Sequence, residues 1–284
     1  MKKKLTLSLI ATSMIAFLLT GCQKNAKDPY EMGDADAYRV EKMIVPADML
    51  VASNRRILPI RNTTQHIPYA TQPAPHVTAG TSDTLTFTYN SMDNPVRIVH
   101  SMGIGENVLF KYDKWNRLSE YINIYPNGAG DYWHRYAYDK MNSDRIIADT
   151  AFRDFFSVNG TMVSYNDIDL MVFKYDTQDR ISQSAEYVLG DTIVTNYTYD
   201  GRGDLQNGSI YDNKLNNHLT NKIWMFIDRD YSLNNPVNNG VYIYNKAGLP
   251  VTINTNPQSA AGFEFIVIGY PFAISKVSII YSTR

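Results

Sequence analysis

The amino-acid sequence predicts an all-β protein, an antiparallel meander of repeated β-hairpins forming one twisted or curled sheet, with a short helix near residues 215–231. The first observation is a unit, aromatic-x-Tyr followed by Asp or Asn, that recurs six times. The second is that Asp, Asn or Gly stands three residues later in every copy. The third is the abundance of tyrosine and phenylalanine, 21 and 11 residues, because aromatic side chains suit pleated sheets. The copies are centred on Tyr89, Tyr112, Tyr138, Tyr175, Tyr199 and Tyr244.

Each column of the repeat predicts part of a hairpin. The two aromatic residues point to one face of a strand, and the Asp or Asn accepts backbone hydrogen bonds at the first position of a type I turn. The residue three positions later tolerates the left-handed backbone of a three-residue loop with a bulge. The first column holds Asn90, Asp113, Asp139, Asp176, Asp200 and Asn245, and the second holds Asp93, Asn116, Asn142, Asp179, Gly203 and Gly248. Calcium binding by the turn carboxylates is the alternative, although single carboxylates on separate hairpins lack a dense ligand loop.

The first 36 residues predict where the protein is located in the cell. Lys2, Lys3 and Lys4 precede an apolar run from Leu5 to Leu19, which is typical of a secretory signal and too short for a comfortable membrane span. Cys22 is the only cysteine, so no intrachain disulfide can form. We therefore expect a signal peptide over residues 1–21, a flexible tether over 22–36 and a hairpin-repeat domain over 37–284.

The sequence Leu19-Thr20-Gly21-Cys22 resembles the lipobox of bacterial lipoproteins. The resemblance implies cleavage before Cys22 and lipid on that residue, so the membrane is the expected partner and the outer membrane the expected location. An ordinary secretory signal with a chance cysteine is the alternative. Removing residues 1–21, which carry three lysines and no acidic residue, changes the formal charge from −1 to −4. Nucleic acid is therefore not an expected partner.

The segments between the repeats predict further strands and turns. Residues 38–45 alternate polar and apolar and are expected to begin the sheet. Asn127-Gly128, Asn159-Gly160 and Gly190-Asp191 predict hairpin turns, as does the segment 103–105, and residues 85–210 are expected to form a meander. The return strands are weaker in two copies, where Asp144 and Asn207 replace an apolar residue.

Three further segments are less regular. Residues 46–82 are rich in proline and weakly periodic, with a strand expected over 56–60, and their histidines His66 and His76 have no partners at metal-ligand spacing. Apolar residues at near-helical spacing predict a helix between Leu215 and Tyr231, which the segment 234–236 ends. Residues 263–268 and 276–281 are expected to be the closing strands.

The repeated aromatic-x-Tyr-Asp unit is similar to the YD repeats of Rhs-type shells and teneurin-like proteins. Together with the lipobox and the segments Trp224, 231–236, 242–245 and 248–250, it resembles Bacteroidota lipoproteins that carry a domain of unknown function. The resemblance covers residues 37–284, and its motifs are structural, so it implies no catalytic residues. A closed Rhs shell needs many more repeats than six. The sites Asp83-Thr84, Asp149-Thr150 and Asp191-Thr192 also resemble short O-glycosylation sites of Bacteroidota envelope proteins.

The sequence contains no Gly-x-Ser-x-Gly motif and no phosphate-binding loop, and its five histidines form no recognised constellation. Asp167 and Asp169 are a candidate carboxylate pair for glycoside chemistry, although such a segment is more often a solvated turn. No catalytic residue, metal or cofactor is expected. The predicted function is a non-enzymatic binding or structural lipoprotein with a glycan or peptide ligand. The alternatives are an envelope hydrolase with an unrecognised site and a subunit of a larger envelope complex that pairs through a sheet edge.

Overall fold

The computed structural model describes residues 35–46, 82–101, 107–139, 145–188, 190–237, 240–255 and 276–284. Sixteen strands and one α-helix, α1 (Lys222–Asp228), lie in these ranges, with short 3-10 helices at Ala35–Ala37 and Asn217–Thr220. The first eight strands are β1 (Tyr38–Val45), β2 (Asp83–Tyr89), β3 (Pro95–His100), β4 (Asn107–Tyr112), β5 (Leu118–Ile124), β6 (Ala129–Tyr138), β7 (Ile146–Val158) and β8 (Thr161–Ser164). The others are β9 (Asp167–Tyr175), β10 (Ile181–Val188), β11 (Asp191–Asn196), β12 (Tyr211–Leu215), β13 (Asn234–Pro236), β14 (Gly240–Tyr244), β15 (Pro250–Thr255) and β16 (Lys276–Thr283).

The predicted all-β class and the antiparallel meander are confirmed. The described strands form one fourteen-stranded sheet in the order β11-β10-β9-β7-β6-β5-β4-β3-β2-β1-β16-β15-β14, and β8 pairs with β7 outside this order. Every strand pair in it is antiparallel. Because β11 and β14 stand at opposite ends of the order, the sheet is open. A separate two-stranded sheet joins β12 to β13.

The repeated turns lie along one edge of the sheet, which we call the tip edge. In five copies the second-column residue has the left-handed backbone, with φ of 58° at Asp93, 61° at Asn116, 67° at Asp179, 89° at Gly203 and 83° at Gly248. In the same copies the first-column Oδ1 accepts the N–H groups two and four residues ahead, at 2.8–3.1 Å. Each turn is therefore closed by its own side chain. Asn142 lies outside the described residues.

The chain order of the sheet places the last hairpin beside the first strand. β16 pairs with both β15 and β1, so β16 and β1 together occupy a hairpin position. Tyr281 takes the place of the repeat tyrosine there, and its hydroxyl donates to the carbonyl of Pro250 at 2.8 Å. The Arg284 N–H donates to the carbonyl of Ala37 at 3.0 Å. Strand β1 thus begins at the tip edge.

The helix packs its apolar side on one face of the sheet. Trp224 is fully buried and meets the rings of Phe87 and Phe110 edge-on, at centroid distances of 5.9 and 5.5 Å. Phe226 meets Phe173 and Tyr136 in the same way, at 4.9 and 5.4 Å. In four copies the first aromatic residue of the repeat therefore forms the surface on which the helix packs, which gives an aromatic side chain at that position a structural role.

A smaller cluster on the opposite face contains Ile122, Trp133 and Phe155. Gly130 is required there, because a Cβ at that position would lie 2.2 Å from the carbonyl oxygen of Asn123. Asp154, with φ of 46°, precedes Phe155 on the long strand β7. The sheet thus buries apolar side chains on both faces in its middle.

Several expectations need correction or stay open. The helix is shorter than the predicted 215–231, because Asn221 caps it and Arg229 ends it with a left-handed backbone. Residues 234–236, expected only to end the helix, pair with β12 as strand β13. In the fifth copy the outgoing strand ends at Asn196, and Tyr199 forms a single bridge to Leu205. Asp167 begins strand β9, so the segment with Asp169 is not a solvated turn.

Other expectations agree with the described residues, and some fall outside them. Strand β1 covers the predicted 38–45, and β16 contains the predicted 276–281. Gly128, Gly160 and Gly190 have φ of 89°, 73° and 87° at the predicted turns. The segments 56–60, 103–105 and 263–268 lie outside the described residues, as do Asp144, His66 and His76.

The left-handed turn position predicts how substitutions at Asn116 change stability. Asn116→Val places a β-branched residue in this region, and we expect it to lower the free energy of unfolding by about 1–2 kcal/mol. Asn116→Gly is the matched control, since glycine adopts φ of 61° freely, and we expect it to retain the stability of the parent. Urea unfolding of both variants measures the difference. Equal losses for valine and glycine would show that the side chain, and not the backbone, determines stability here.

Candidate functional site

In five of the six copies the tyrosine before the turn connects its hairpin to the preceding strand of the sheet, whereas in the sixth copy Tyr244 donates to the carboxylate of Asp212. In those five copies the tyrosine hydroxyl donates to a main-chain carbonyl at the neighbouring return strand, at 2.6–2.8 Å. Burial raises the pKa of Tyr175 to about 12 and also raises the pKa of Tyr89, so these hydroxyls stay protonated donors. The pairs are Tyr89 with Val40, Tyr112 with Pro95, Tyr138 with Leu118, Tyr175 with Ile146 and Tyr199 with Ile181.

Arginine side chains cover the same tyrosine rings. The guanidinium carbon lies 4.1–5.1 Å from the ring centroid in four pairs, within the range of cation–π contacts. The arginines also form ion pairs with turn carboxylates, two of them at 2.7 Å within their own turns. Each arginine thus connects its own strand or turn to the tyrosine ring of the next hairpin in the sheet. The stacked pairs are Arg39 on Tyr89, Arg117 on Tyr138, Arg145 on Tyr175 and Arg180 on Tyr199.

Two turn aspartates, Asp176 and Asp200, are held in their ionised form. The backbone N–H of Arg180 lowers the pKa of the Asp176 carboxyl below its ordinary value, and that of Asp204 does the same for Asp200. A carboxylate that accepts several N–H groups is a poor proton donor at neutral pH. These residues therefore fit a structural or hydrogen-bonding role and do not fit that of a general acid.

A cleft of about 1040 Å³ lies between the hairpin tips of copies two to five and helix α1, and we call it the tip cleft. Its hairpin side carries the rings of Tyr112, Tyr138, Tyr175 and Tyr199. Arginines stack on the last three of these rings. The amide side chains of Asn94, Asn116, Gln178 and Asn221 add donors and acceptors around it, and Met225 and Phe226 form an apolar wall on the helix side. The cleft is therefore long, partly aromatic and rich in hydrogen-bonding groups.

The charges of the tip cleft are largely balanced. Arg117, Arg180 and Arg202 each pair with an aspartate of their own turn, at 2.7, 2.7 and 3.3 Å. Arg145 pairs with Asp179 of the next hairpin. Because every lining arginine has a carboxylate partner, the cleft does not present an array of free positive charges. Neutral polar ligands fit this wall better than polyanions.

A buried ionic cluster fixes the helix that forms the other wall. His218 Nε2 lies 2.7 Å from Asp228 Oδ2, and His218 Nδ1 lies 2.8 Å from Asn216 Oδ1 and 3.3 Å from Asp230 Oδ2. Burial alone lowers the pKa of His218, but the hydrogen bonds and charges of the two aspartates outweigh it and raise that pKa to about 10. His218 is therefore an imidazolium at neutral pH, held between Asp228, the last residue of α1, and Asp230, two residues beyond it.

Two histidine–aspartate contacts and one arginine–aspartate ion pair lie in the sheet, outside the cleft. His100 Nδ1 lies 2.8 Å from Asp83, and His134 Nδ1 lies 2.9 Å from Asp149. Asp169 is held by Arg153, with contacts of 2.9 and 3.1 Å. The candidate carboxylate pair is therefore not two free acids, because Asp169 is neutralised and Asp167 lies exposed on the same strand.

The structure gathers the turn positions and leaves other predicted sites apart. Five of the six turn pairs lie along the tip edge, and residues 176, 179, 200 and 203 lie at or beside the cleft. Cys22 lies outside the described residues. Thr192 is exposed on the terminal strand β11, whereas the aspartates of the other two Asp-Thr sites, Asp83 and Asp149, are buried.

Neither a metal cluster nor a spanning helix occurs in the part of the chain that the structure describes. No group of three or more His, Cys, Asp or Glu residues there can hold a metal ion. Within the same ranges, no helix has the length and apolar character needed to cross a membrane.

Sequence reasoning missed the partners of the repeat. Arg117 and Arg180 each stand four residues after the turn aspartate, a spacing visible in the sequence, but their contact with the next tyrosine depends on strand order. Polar residues inside alternating strands, such as His134 and Arg153, are also visible in the sequence and indicate that a buried polar partner must lie nearby. The role of His218 has no comparable signal in the sequence. His218 precedes α1 and the two aspartates lie at its end or just beyond it, so only the folded structure brings them together.

No protein-family model matches the sequence, and no curated protein sequence matches it. A chain in the crystal structure of TcdB2-TccC3-Cdc42 is similar at 11% identity and a TM-score of 0.28, over 64% of this chain and 9% of that chain. A chain of the Photorhabdus luminescens Tc holotoxin pore is similar at 12% identity and a TM-score of 0.24, over 64% of this chain and 10% of that chain.

A porin-like protein from Bacteroides uniformis is similar at 9% identity and a TM-score of 0.33, over 86% of this chain and 98% of that chain. The chain spans only about a tenth of the length of the toxin chains. TM-scores below 0.5 do not establish a common fold, so these likenesses carry no function to this chain. The resemblance to YD-repeat proteins and to Bacteroidota lipoproteins stays a prediction.

Removing one tyrosine hydroxyl tests the connection between hairpins. Tyr138→Phe leaves the carbonyl of Leu118 without its donor, and we expect the free energy of unfolding to fall by about 1 kcal/mol. The matched control is Tyr187→Phe, because Tyr187 is 45% exposed and we expect its hydroxyl to contribute little. Urea unfolding measures both. A loss no larger than that of the control would contradict a stabilising role for the hydroxyl.

The His218 cluster predicts a pH dependence of stability. The pKa of His218 is raised from 6.5 to about 10 on folding, so its contribution is fully present below about pH 6.5 and is lost as the pH rises toward about 10. We expect the protein to lose stability across this window and His218→Gln to lose less. Unfolding free energies of both proteins at several pH values measure the difference. Parallel pH profiles would show that His218 is not charged in the folded state.

Proposed function

We propose that the protein is a lipid-anchored, non-enzymatic binding protein of the cell envelope, and that its ligand is a glycan held in the tip cleft. The observation that supports this best is the composition of the cleft. Tyrosine rings, guanidinium groups and amides line its volume of about 1040 Å³. Such a surface offers both stacking faces and hydrogen-bonding groups.

The ligand class follows from how each wall can bind. Sugars present apolar ring faces and a dense set of hydroxyls that both donate and accept. Tyrosine rings and guanidinium planes can stack on the apolar faces of a sugar. Asn116, Gln178 and Asp179 offer hydrogen-bond acceptors and donors to its hydroxyls. A peptide can use the same groups, but it gains most from apolar pockets, and only the helix side supplies Met225 and Phe226.

The envelope location rests on the sequence before the domain. A positive start, an apolar run ending at Leu19 and the lipobox-like Cys22 support export and lipid attachment. Several acyl chains on one residue would make a stable anchor, whereas a single chain is marginal. The periplasmic and the outer face of the membrane are both compatible with residues 23–28, which carry no acidic run.

A hydrolase has less support from the geometry. Glycoside hydrolysis needs one carboxyl group that stays protonated and a second that stays ionised across the scissile bond. The lowered pKa of Asp176 and Asp200 keeps these two carboxyls ionised. Burial raises the pKa of Asp204 in the same turn as Asp200, but its side chain is buried against Arg202 and does not line the cleft. Asp169 is paired with Arg153.

Pairing through a sheet edge is the second candidate, since strand β14 ends the strand order with two exposed apolar residues. Val241 and Ile243 are 67% and 54% exposed on this strand. Such an edge can accept a strand from a partner.

A blocked cleft tests the proposed ligand site. Gly201 lines the cleft, its backbone is not left-handed, and a Cβ there would meet no atom within 4 Å. Gly201→Phe should therefore fold normally and fill the cleft. We expect residues 23–284, which contain every described element, to bind members of a glycan array, and the variant to bind them at least ~10-fold more weakly, a loss of about 1.4 kcal/mol.

The control is Ser91→Phe, the same turn position in the first hairpin, which does not line the cleft. It should bind as the parent does. Absence of binding to every glycan would reject the ligand class, and equal binding by Gly201→Phe would reject the cleft. Weakening by Ser91→Phe alone would place the site on the first hairpin.

A further inference from the structure

The turns of the first two hairpins expose large apolar side chains at the tip edge. Met92 is 63% exposed and Trp115 is 64% exposed, each at the third position of its turn. The other two tryptophans of the chain, Trp133 and Trp224, are buried. A turn needs no tryptophan for its own geometry, because the Asp113 side chain already closes it. Both side chains are therefore open to a partner, Met92 outside the tip cleft and Trp115 at its rim, where it also lines the cleft.

Cationic groups flank the exposed ring. The Lys114 ammonium lies 4.2 Å from the Trp115 ring centroid, and the Arg117 guanidinium carbon lies 4.7 Å from it. Tryptophan beside a cation is a combination found at membrane surfaces, with the ring at headgroup level and the cation near lipid phosphates. Arg117 is paired with Asp113, so Lys114 is the cation that would approach the phosphates.

The chain that precedes the domain enters at the same edge. Strand β1 begins at Tyr38 beside the first hairpin tip, since Arg39 pairs with Asp93 and stacks on Tyr89. Met92 is the neighbour of Asp93 in that tip. Neighbouring strands lie about 4.8 Å apart, so the tip of β4 and β5, with Trp115, follows about 10 Å farther along the edge.

The length of the preceding chain limits the distance to the lipid. Twelve residues separate Cys22 from Ala35, and they span at most about 45 Å when fully extended. A tether of this length with the flexibility that its sequence predicts would span roughly 20 Å on average. An anchor at Cys22 would therefore keep the tip edge close to the membrane surface for most of the time.

We propose that the tip edge is a membrane-contact surface, in which Met92 and Trp115 enter the lipid surface that holds the Cys22 anchor. This inference rests on the proposed lipid anchor and adds an orientation to it. The sheet then stands with its tips on the bilayer, and the tip cleft opens next to the lipid headgroups. The turns at Gly128 and Gly160, on the opposite edge of the sheet, point away from the membrane.

Trp115 supplies its own reporter, because it is the exposed tryptophan of three and the other two are buried. The complete lipid-modified protein is reconstituted into vesicles of phosphatidylethanolamine and phosphatidylglycerol, with or without brominated lipid, and vesicles are collected by flotation. We expect a blue-shifted Trp115 emission and its loss in the brominated vesicles. Trp115→Phe should remove the quenched component and leave the buried tryptophan emission unchanged.

The matched control moves the reporter to the opposite half of the sheet. Val163, on strand β8, is 59% exposed, so Val163→Trp in the Trp115→Phe background gives an equally exposed ring far from the tips. We expect acrylamide to quench it and brominated lipid to leave it unchanged. Equal bromine quenching of both reporters would overturn the proposed orientation.

The remaining outcomes separate the contact from the anchor. If the protein floats with the vesicles and Trp115 remains open to acrylamide but unquenched by bromine, the anchor stands and the membrane contact is wrong. If the protein does not float, the anchor is wrong, and this contact falls with it. If Trp115 is shielded from acrylamide in native membranes without bromine quenching, a protein partner covers it, and the lipid contact is wrong.

Discussion

The hydrogen bond from the repeat tyrosine to the preceding strand, made in five of the six copies, is the interaction on which the rest of the structure depends. A hairpin alone is only marginally stable in water, and the sheet has to specify which hairpin pairs with which. The buried hydroxyl of Tyr138 satisfies the Leu118 carbonyl of its neighbour, and Arg117 from that neighbour covers the same ring. The ladder of strand hydrogen bonds is therefore reinforced at its end by a second, side-chain ladder.

This second ladder explains why turn chemistry and sheet order agree. The turn aspartate closes its own loop through Oδ1, and in the second and fourth copies its Oδ2 holds the arginine that reaches the next tyrosine. One carboxylate thus fixes a local conformation and a contact between hairpins. A slip of register by one residue would break both, because it would turn the tyrosine to the other face of the sheet. The repeat therefore specifies register as well as turn type.

The sequence allowed the repeat, the turn positions and the first strand to be predicted, because those depend on local rules for each residue. The left-handed residues Asp93 and Asn116, for example, are readable from residue type alone. The position of β1 in the sheet order was not predictable, since its pairing with β16 joins residues more than 200 positions apart. The tip cleft was missed for the same reason, because it needs a helix from residues 222–228 above turns that end at residue 203.

The pairing of β1 with β2 determines the edge at which the chain enters the sheet, and the pairing with β16 places β1 inside the strand order. A linear meander would begin at one end of the sheet, far from most turns, but here β1 lies inside the sheet and starts among the tips. The chain that precedes the domain therefore enters beside the turns and the cleft, and the helix held by His218 covers the same region. Connection, cleft and exposed aromatic side chains share one edge because β1 runs antiparallel to β2 and therefore begins where β2 ends, at the first turn. A binding site placed there meets whatever surface the preceding chain is attached to.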